Sequence, residues 1–503
     1  MPQHPQRIEQ FRYRVGAVAI SEVGWRHPAG QRGAPTAFDR LSYLRYRPLD
    51  ADADLPAIVL SLQPGNTGGP SSFDPLARNL VAALRRRGVC CEVWAMTRRS
   101  QHLIDRTGMR AAVEAGDHQL AVDYYYRGHT VAGRTFGGCL PARRLAFLAG
   151  YGVEQVVADW QHVHALELPD PADRARRLFI GGHSLGGPLA NLYCQWDFPD
   201  GPGYRQVAGV IGVDGPITAD PLELGDRLRP LARVANRALP ALTPFTRAGL
   251  LPATNHWGPL RLGDIATLIG VAALAARYAP GAESTLLREV PQTLLVDSLF
   301  RLLYPQGGPR RWRLTNAALF GTLFGRVAQA TTLANDMGGY TGPPRVKRAP
   351  LTGLTRIPLA GELFAAALSD RPLSMPADPH RLTDWSAGDD AISSFDDTVF
   401  AWGNGEFSYL NPYESRLLPM QAVLGLLGGL AAGRHGDWSE HLPALTVAGD
   451  LWAPIRRRRG PRPGEVDAVG YSHQDVLSAR QPDIVVDSMA RFLLANTPLR
   501  RTA

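Results

Sequence analysis

The sequence predicts an α/β fold: a mostly parallel sheet with helices on both faces, interrupted by a large, mainly helical insertion. Three observations carry that prediction. Short apolar runs of strand length alternate with stretches of helical periodicity through residues 58–216, the pattern of strands joined by crossover helices. One of those runs ends in a glycine-rich turn that leads directly into a helical stretch. Between Ile217 and Glu440 strand signals nearly vanish and Leu, Ala, Gly and Pro dominate, before strand and helix resume near the C-terminus.

Taken in order, Tyr13–Val23 and Leu41–Tyr46 alternate well enough to be opening antiparallel strands. Ile58–Leu62 is a continuous apolar run and so a central strand buried on both faces. Phe73–Arg87 places Leu76, Leu80, Ala83 and Leu84 on one helical face. Val89–Met96 supplies the next strand. Arg98 to about Cys139 is long, polar and aromatic, and its Tyr124-Tyr125-Tyr126 reads as packing rather than pocket lining. Tyr151–Leu166 is a helix, Leu178–Ile180 a buried strand, Pro188–Cys194 a helix and Val210–Val213 a strand that ends at Asp214. Within the insertion, Leu287–Tyr304 and Asn316–Asn335 carry helical periodicity. Ala444–Gly449 and Ile484–Leu494 then give the last strand and helix. The expected division is a core of residues 1–216 plus 436–503 and an inserted cap of residues 217–435.

At 503 residues with 45% hydrophobic content, the chain can bury a large core. The net charge of +8 comes almost wholly from arginine, with Lys347 the single lysine. Alongside abundant Ala, Gly and Pro, this reads as a composition bias and not a nucleic-acid face. The one dense run, Arg456–Arg459, reads as a solvated loop without the interleaved aromatics of single-strand binders. Cys90, Cys91, Cys139 and Cys194 lack metal-ligand spacing and read as reduced thiols. No cofactor or metal is expected. Neither Leu417–Gly433 nor Ile265–Ala276 is a convincing membrane helix, and the first ten residues lack a signal peptide's apolar stretch, so a cytoplasmic location is expected.

The chemistry centres on Arg177-Leu178-Phe179-Ile180-Gly181-Gly182-His183-Ser184-Leu185-Gly186-Gly187, a strand running through G-x-S-x-G into a helix. That context is what a nucleophile elbow requires: small residues at 182 and 186 permit a turn so tight that Ser184 holds strained dihedrals and its hydroxyl stands clear. A serine nucleophile needs a base, and neutral imidazole suits the task near neutral pH. Ile58–Leu62 breaks into Gln63-Pro64-Gly65-Asn66-Thr67-Gly68-Gly69, a flexible loop. It is not a phosphate loop, since no G-x-x-x-x-G-K-[ST] follows.

Gly182-His183-Ser184-Leu185-Gly186-Gly187 resembles the elbow of lipases and esterases in the alpha/beta-hydrolase superfamily, and the resemblance covers residues 10–216 and 436–503. It implies an alpha/beta-hydrolase fold and a base that comes last in the chain, on a loop before a C-terminal helix. His473, in Gly470-Tyr471-Ser472-His473-Gln474-Asp475, holds that place. For the acid the chain departs from the family. Trp452 stands where Asp usually falls after the Ala444–Gly449 strand, which leaves Asp450 as the preferred carboxylate and Asp214 as the rival, at a position some lipases use. The family's His-Gly lead into the oxyanion loop is replaced by Gln63-Pro64-Gly65, so the backbone N–H groups of Asn66 and Leu185 are the expected oxyanion donors.

The implied activity is hydrolysis of small-molecule carboxylic esters through an acyl-enzyme, in an apolar pocket under the cap. Trp257, Trp312, Phe324, Trp402, Phe407 and Tyr409 are candidates for the lining. Thioester, amide or carbon-carbon hydrolysis or acyl transfer could run on the same groups. A non-catalytic binding protein with a relic elbow is the alternative that Trp452 favours.

Overall fold

A computed structural model describes residues 6–26, 34–51, 56–218, 225–254, 262–291, 308–329, 331, 333–347, 372–406, 409–428, 430, 438–452, 460 and 462–498. Nine strands form one sheet: β1 (Arg7–Val15), β2 (Val18–Arg26), β3 (Arg40–Pro48), β4 (Ile58–Gln63), β5 (Cys91–Thr97), β6 (Leu178–His183), β7 (Gly209–Val213), β8 (Ala444–Ala448) and β9 (Glu465–Asp467). Their spatial order is β1-β2-β3-β5-β4-β6-β7-β8-β9. The first three strands and the β3–β5 pair are antiparallel. From β5 through β4, β6, β7, β8 and β9 every pairing is parallel. The expected opening strand Tyr13–Val23 is instead a hairpin: Gly16, at φ +56°, turns the chain between β1 and β2.

Alternation along each central strand assigns its side chains to two apolar layers. Leu60, Phe179, Ile211 and Val447 pack on one face with α1 (Asp74–Arg85) and α7 (Ile484–Ala495). Val59, Ile180 and Val210 pack on the other with α2 (Val153–Glu167) and α3 (Gly186–Gln195). Each of these strand side chains is fully buried. Truncating one of the leucines or isoleucines among them to alanine costs about 2–5 kcal/mol.

The chain leaves β7 at Asp214 and returns in β8, which pairs directly with β7, Leu445 beside Ile211. The intervening stretch contributes α4 (Leu262–Tyr278), α5 (Asn316–Phe324) and α6 (Phe395–Trp402) to a further apolar core, which it shares with Ala112, Ala121 and Val122 from the chain after β5. Tyr124 and Tyr125 are buried in that core beside Phe136. Three sequence expectations need correction here. The helix expected over Asn316–Asn335 stops at Phe324, because Gly325 takes up extended dihedrals and bridges to Asn335. Of Leu287–Tyr304, only Leu286–Glu289 is a described helix and residues 292–307 lie outside the described residues. Strands are also present: Gly339–Tyr340 pairs with Trp385–Ser386, and Pro344–Lys347 with Leu373–Pro376.

Among the candidate lining residues, Trp402 stacks on Tyr409 with centroids 4.2 Å apart, and Phe324 meets both edge-on. Trp312 is buried in the same core. These rings therefore spend much of their surface on one another. Trp257, Phe407 and Arg456–Arg459 lie outside the described residues. No helix among the described residues is long and apolar enough to cross a membrane.

Candidate active site

Strand β6 delivers Ser184 at a sharp turn into α3. Its φ is +53°, left-handed for a residue with a Cβ, and the turn is fixed by the Ser184 N–H donating to Val213 O (3.1 Å) and the Gly187 N–H donating to Ser184 O (3.1 Å). The neighbouring glycines are required by close approach: a Cβ on Gly182 would come 2.5 Å from Gln63 O, and one on Gly186 would overlap the same carbonyl. Strain of this kind, held by packing on both sides, marks functional turns.

Asp214 follows β7, fully buried and also left-handed at φ +41°. Its Oδ2 accepts a hydrogen bond from His473 Nδ1 at 2.5 Å, and its Oδ1 accepts one from the Gly449 N–H at 2.7 Å. A carboxylate on Nδ1 fixes the tautomer that leaves the Nε2 lone pair available as a base. Asp450, the preferred acid in the sequence reading, does not meet His473. Its Oδ1 accepts from the Gly470 N–H (2.9 Å) and its Oδ2 pairs with Arg326 Nη2 (3.3 Å), so it holds the loop that leads to His473. The physical reason is that the chain turns immediately after β8, directing the Gly449 N–H at Asp214 while the Asp450 side chain faces Gly470. Trp452 also reaches Asp214: its Nε1–H donates to the Asp214 backbone carbonyl at 2.9 Å.

His183 was quoted in the motif but given no role by sequence reasoning. Its ring lies 4.3 Å from that of His473, and its Nε2–H donates to the His473 carbonyl at 2.8 Å. Burial, together with the neighbouring His473, holds its pKa well below the ordinary imidazole value, so it stays neutral. It thus ties the elbow to the histidine loop. Beyond His473, buried Asp475 accepts from the Ser472 N–H (2.9 Å), the Asp336 N–H (2.8 Å) and Ser393 Oγ–H (2.6 Å). The Tyr409 hydroxyl donates to Gln474 Oε1 at 2.7 Å.

The loop after β4 lies against the serine: a Cβ on Gly65 would sit 3.1 Å from Ser184 Cβ. Asn66 follows directly, and Leu185 caps α3, whose first amides have no carbonyl partner within the helix. Thr67 is left-handed at φ +55°. Two buried charges grip this loop. Arg98 donates from Nη1 to Gly65 O (3.0 Å) and from Nη2 to Pro64 O, and it pairs with Glu414, whose Oε2 accepts from the Thr67 N–H. The Asn411 N–H donates to Thr67 O (2.7 Å) and the Gly69 N–H to Tyr409 O (2.8 Å). Neither Arg98 nor Glu414 carries a sequence signal, because the pair spans 316 positions.

No family model matches the chain, and no curated protein matches it. Among solved structures it is similar to a bacterial heroin esterase (16% identity over 42% of this chain and 48% of that one, TM-score 0.21). It is also similar to a soluble variant of monoglyceride lipase from Saccharomyces cerevisiae (10%, 99% and 98%, 0.31). The peroxisomal alpha-beta-hydrolase Lpx1 of Saccharomyces cerevisiae gives comparable figures (10%, 99% and 92%, 0.33). The fold assignment rests instead on the chain's own topology. A parallel central sheet, an elbow between β6 and α3, and Ser184, Asp214 and His473 in the order Ser, Asp, His at the strand ends give this chain the alpha/beta-hydrolase fold.

Proposed function

We propose that the protein is a serine hydrolase that cleaves carboxylic esters of small molecules. One observation carries the reading: the buried Asp214–His473 hydrogen bond starts one residue after Val213, whose carbonyl accepts from the N–H of Ser184, a serine held at left-handed φ on an elbow. In this reading His473 Nε2 takes the Ser184 proton as Oγ attacks the ester carbonyl, and Asp214 stabilises the imidazolium that forms. The amide N–H groups of Asn66 and Leu185 receive the oxyanion. The alcohol leaves with the proton from His473, and water, activated by the same imidazole, cleaves the acyl-enzyme. Residues 217–435 act as a cap that excludes water and shapes an apolar pocket.

The relic reading loses the feature that favoured it, since Trp452 supports Asp214 without replacing an acid. The test is hydrolysis of para-nitrophenyl esters of graded acyl length by wild type and Ser184→Ala, with fluorophosphonate labelling alongside. Turnover should fall by about 10⁴-fold or more in the variant, with labelling abolished. Ester turnover that persists in Ser184→Ala would refute the assignment, and labelling without ester turnover would redirect it to thioester, amide or carbon-carbon substrates.

A further inference from the structure

The oxyanion loop is irregular, it carries a left-handed threonine, and no strand or helix holds Pro64–Thr67 in place. A local turn, in which the Gly68 N–H donates to Gly65 O at 3.0 Å, shapes it from within, and two buried charges hold it from beneath. Arg98 leaves the end of β5, Glu414 comes from the chain between β7 and β8, and each side chain is only 1% exposed. Together they engage the loop at three backbone atoms: the carbonyls of Pro64 and Gly65 through Arg98, and the Thr67 N–H through Glu414.

A trans peptide sets its carbonyl and the following N–H in opposite directions. With Gly65 O held by both the Gly68 N–H and Arg98, the Asn66 N–H is turned to the side away from Arg98. Burying two charges costs desolvation that an apolar pair would not, so such a pair is a weak device for stability and a strong one for orientation. We propose that Arg98 and Glu414 are positioning residues that set the oxyanion donor, so that the segment inserted between β7 and β8 completes the catalytic machinery of the core. This rests on the ester-hydrolase reading above.

Three variants test it, each assayed on a para-nitrophenyl ester and against an alkyl trifluoromethyl ketone, whose hemiketal mimics the tetrahedral intermediate. Glu414→Gln should lower kcat by about 10- to 100-fold with KM little changed, less than the roughly 100- to 1000-fold loss that follows removal of an oxyanion donor outright. Affinity for the ketone should fall by the same factor as kcat/KM. Arg98→Lys should also be impaired, because a point charge cannot bridge two carbonyls and a carboxylate. The double variant Arg98→Met/Glu414→Leu avoids the unpaired buried charge that a single variant leaves, although it still strands the Pro64 carbonyl and the Thr67 N–H, so it is assayed on the fraction that folds. A merely structural role predicts wild-type kcat per folded molecule, whatever the stability. The positioning role predicts kcat and ketone affinity still depressed in the folded molecules. Unchanged kcat and ketone affinity in the folded double variant would overturn the proposal while Ser184→Ala remains inactive. Ester turnover surviving in Ser184→Ala would remove the underlying reading instead.

Discussion

The faces of the sheet and the seam between sheet and insertion are built from different materials. On the faces, Leu60, Phe179, Ile180 and Ile211 are wholly buried and hold by shape. At the seam, Arg98–Glu414 lies under the loop that follows β4, Arg326–Asp450 beside the histidine loop and Asp475–Ser393 behind it. Apolar packing tolerates substitutions that conserve volume, whereas a buried polar network needs every partner in place. The difference separates two tasks. The C-terminal ends of the central strands β6 and β7 place Ser184 and Asp214 side by side, and the polar seam fixes the loops around them.

The contrast is sharpest at Asp475. Asp475→Ala strands the Ser472 and Asp336 amides and the Ser393 hydroxyl in a buried site, and should cost about 3 kcal/mol in urea unfolding. A loss under about 1 kcal/mol would mean that the seam relaxes as readily as the faces.

Acid pH should separate the regions next. His164 is fully buried, its pKa pushed down to about 3 by desolvation and Arg174, and His183 is held well below its ordinary value of 6.5. Below pH 6.5 the unfolded chain binds protons there that the folded chain does not, so stability falls as pH drops. Burial pushes the Glu414 and Asp475 carboxyls up, so the folded chain takes up protons at these seam residues before the unfolded chain does, and they oppose the trend. His164→Gln should flatten the fall by about 1.4 kcal/mol per pH unit between pH 6.5 and 4, one proton's worth. An unaltered slope would show that His164 charges in the folded state.

Smaller effects follow. Ile180→Val, a one-methylene change on a sheet face, should cost about 1 kcal/mol with kcat nearly unchanged. A cost comparable to that of Asp475→Ala would erase the distinction between the two regions. Trp452→Phe removes one hydrogen bond to the Asp214 carbonyl, and should lower kcat by only about a few-fold at roughly 1 kcal/mol in stability. A hundredfold loss would assign the indole a share in holding Asp214 that its single bond does not suggest.

This division of labour also explains what could be read from the sequence. Central strands such as Ile58–Gln63 and Leu178–His183 are continuous apolar runs, and the elbow is a local motif, so both are visible in short windows. The choice of Asp450 over Asp214 went wrong because it rested on spacing after β8. The partner of His473 is set by how β7 and β8 lie side by side, 259 positions from the histidine. Arg98, Glu414, Arg326 and Ser393 are harder still. Each is an ordinary polar residue whose meaning comes from a contact made across the seam, and no period or motif encodes such a contact.

The most direct test of the account compares Asp214→Asn with Asp450→Asn on one para-nitrophenyl ester. Asparagine preserves shape but cannot hold the His473 tautomer or stabilise its cation, so Asp214→Asn should lower kcat/KM by about 10⁴-fold. Asp450→Asn, which only loosens a loop contact with Arg326 and Gly470, should stay within about tenfold of wild type. Equal and mild losses in both, or the larger loss in Asp450→Asn, would contradict the assignment of Asp214 to His473.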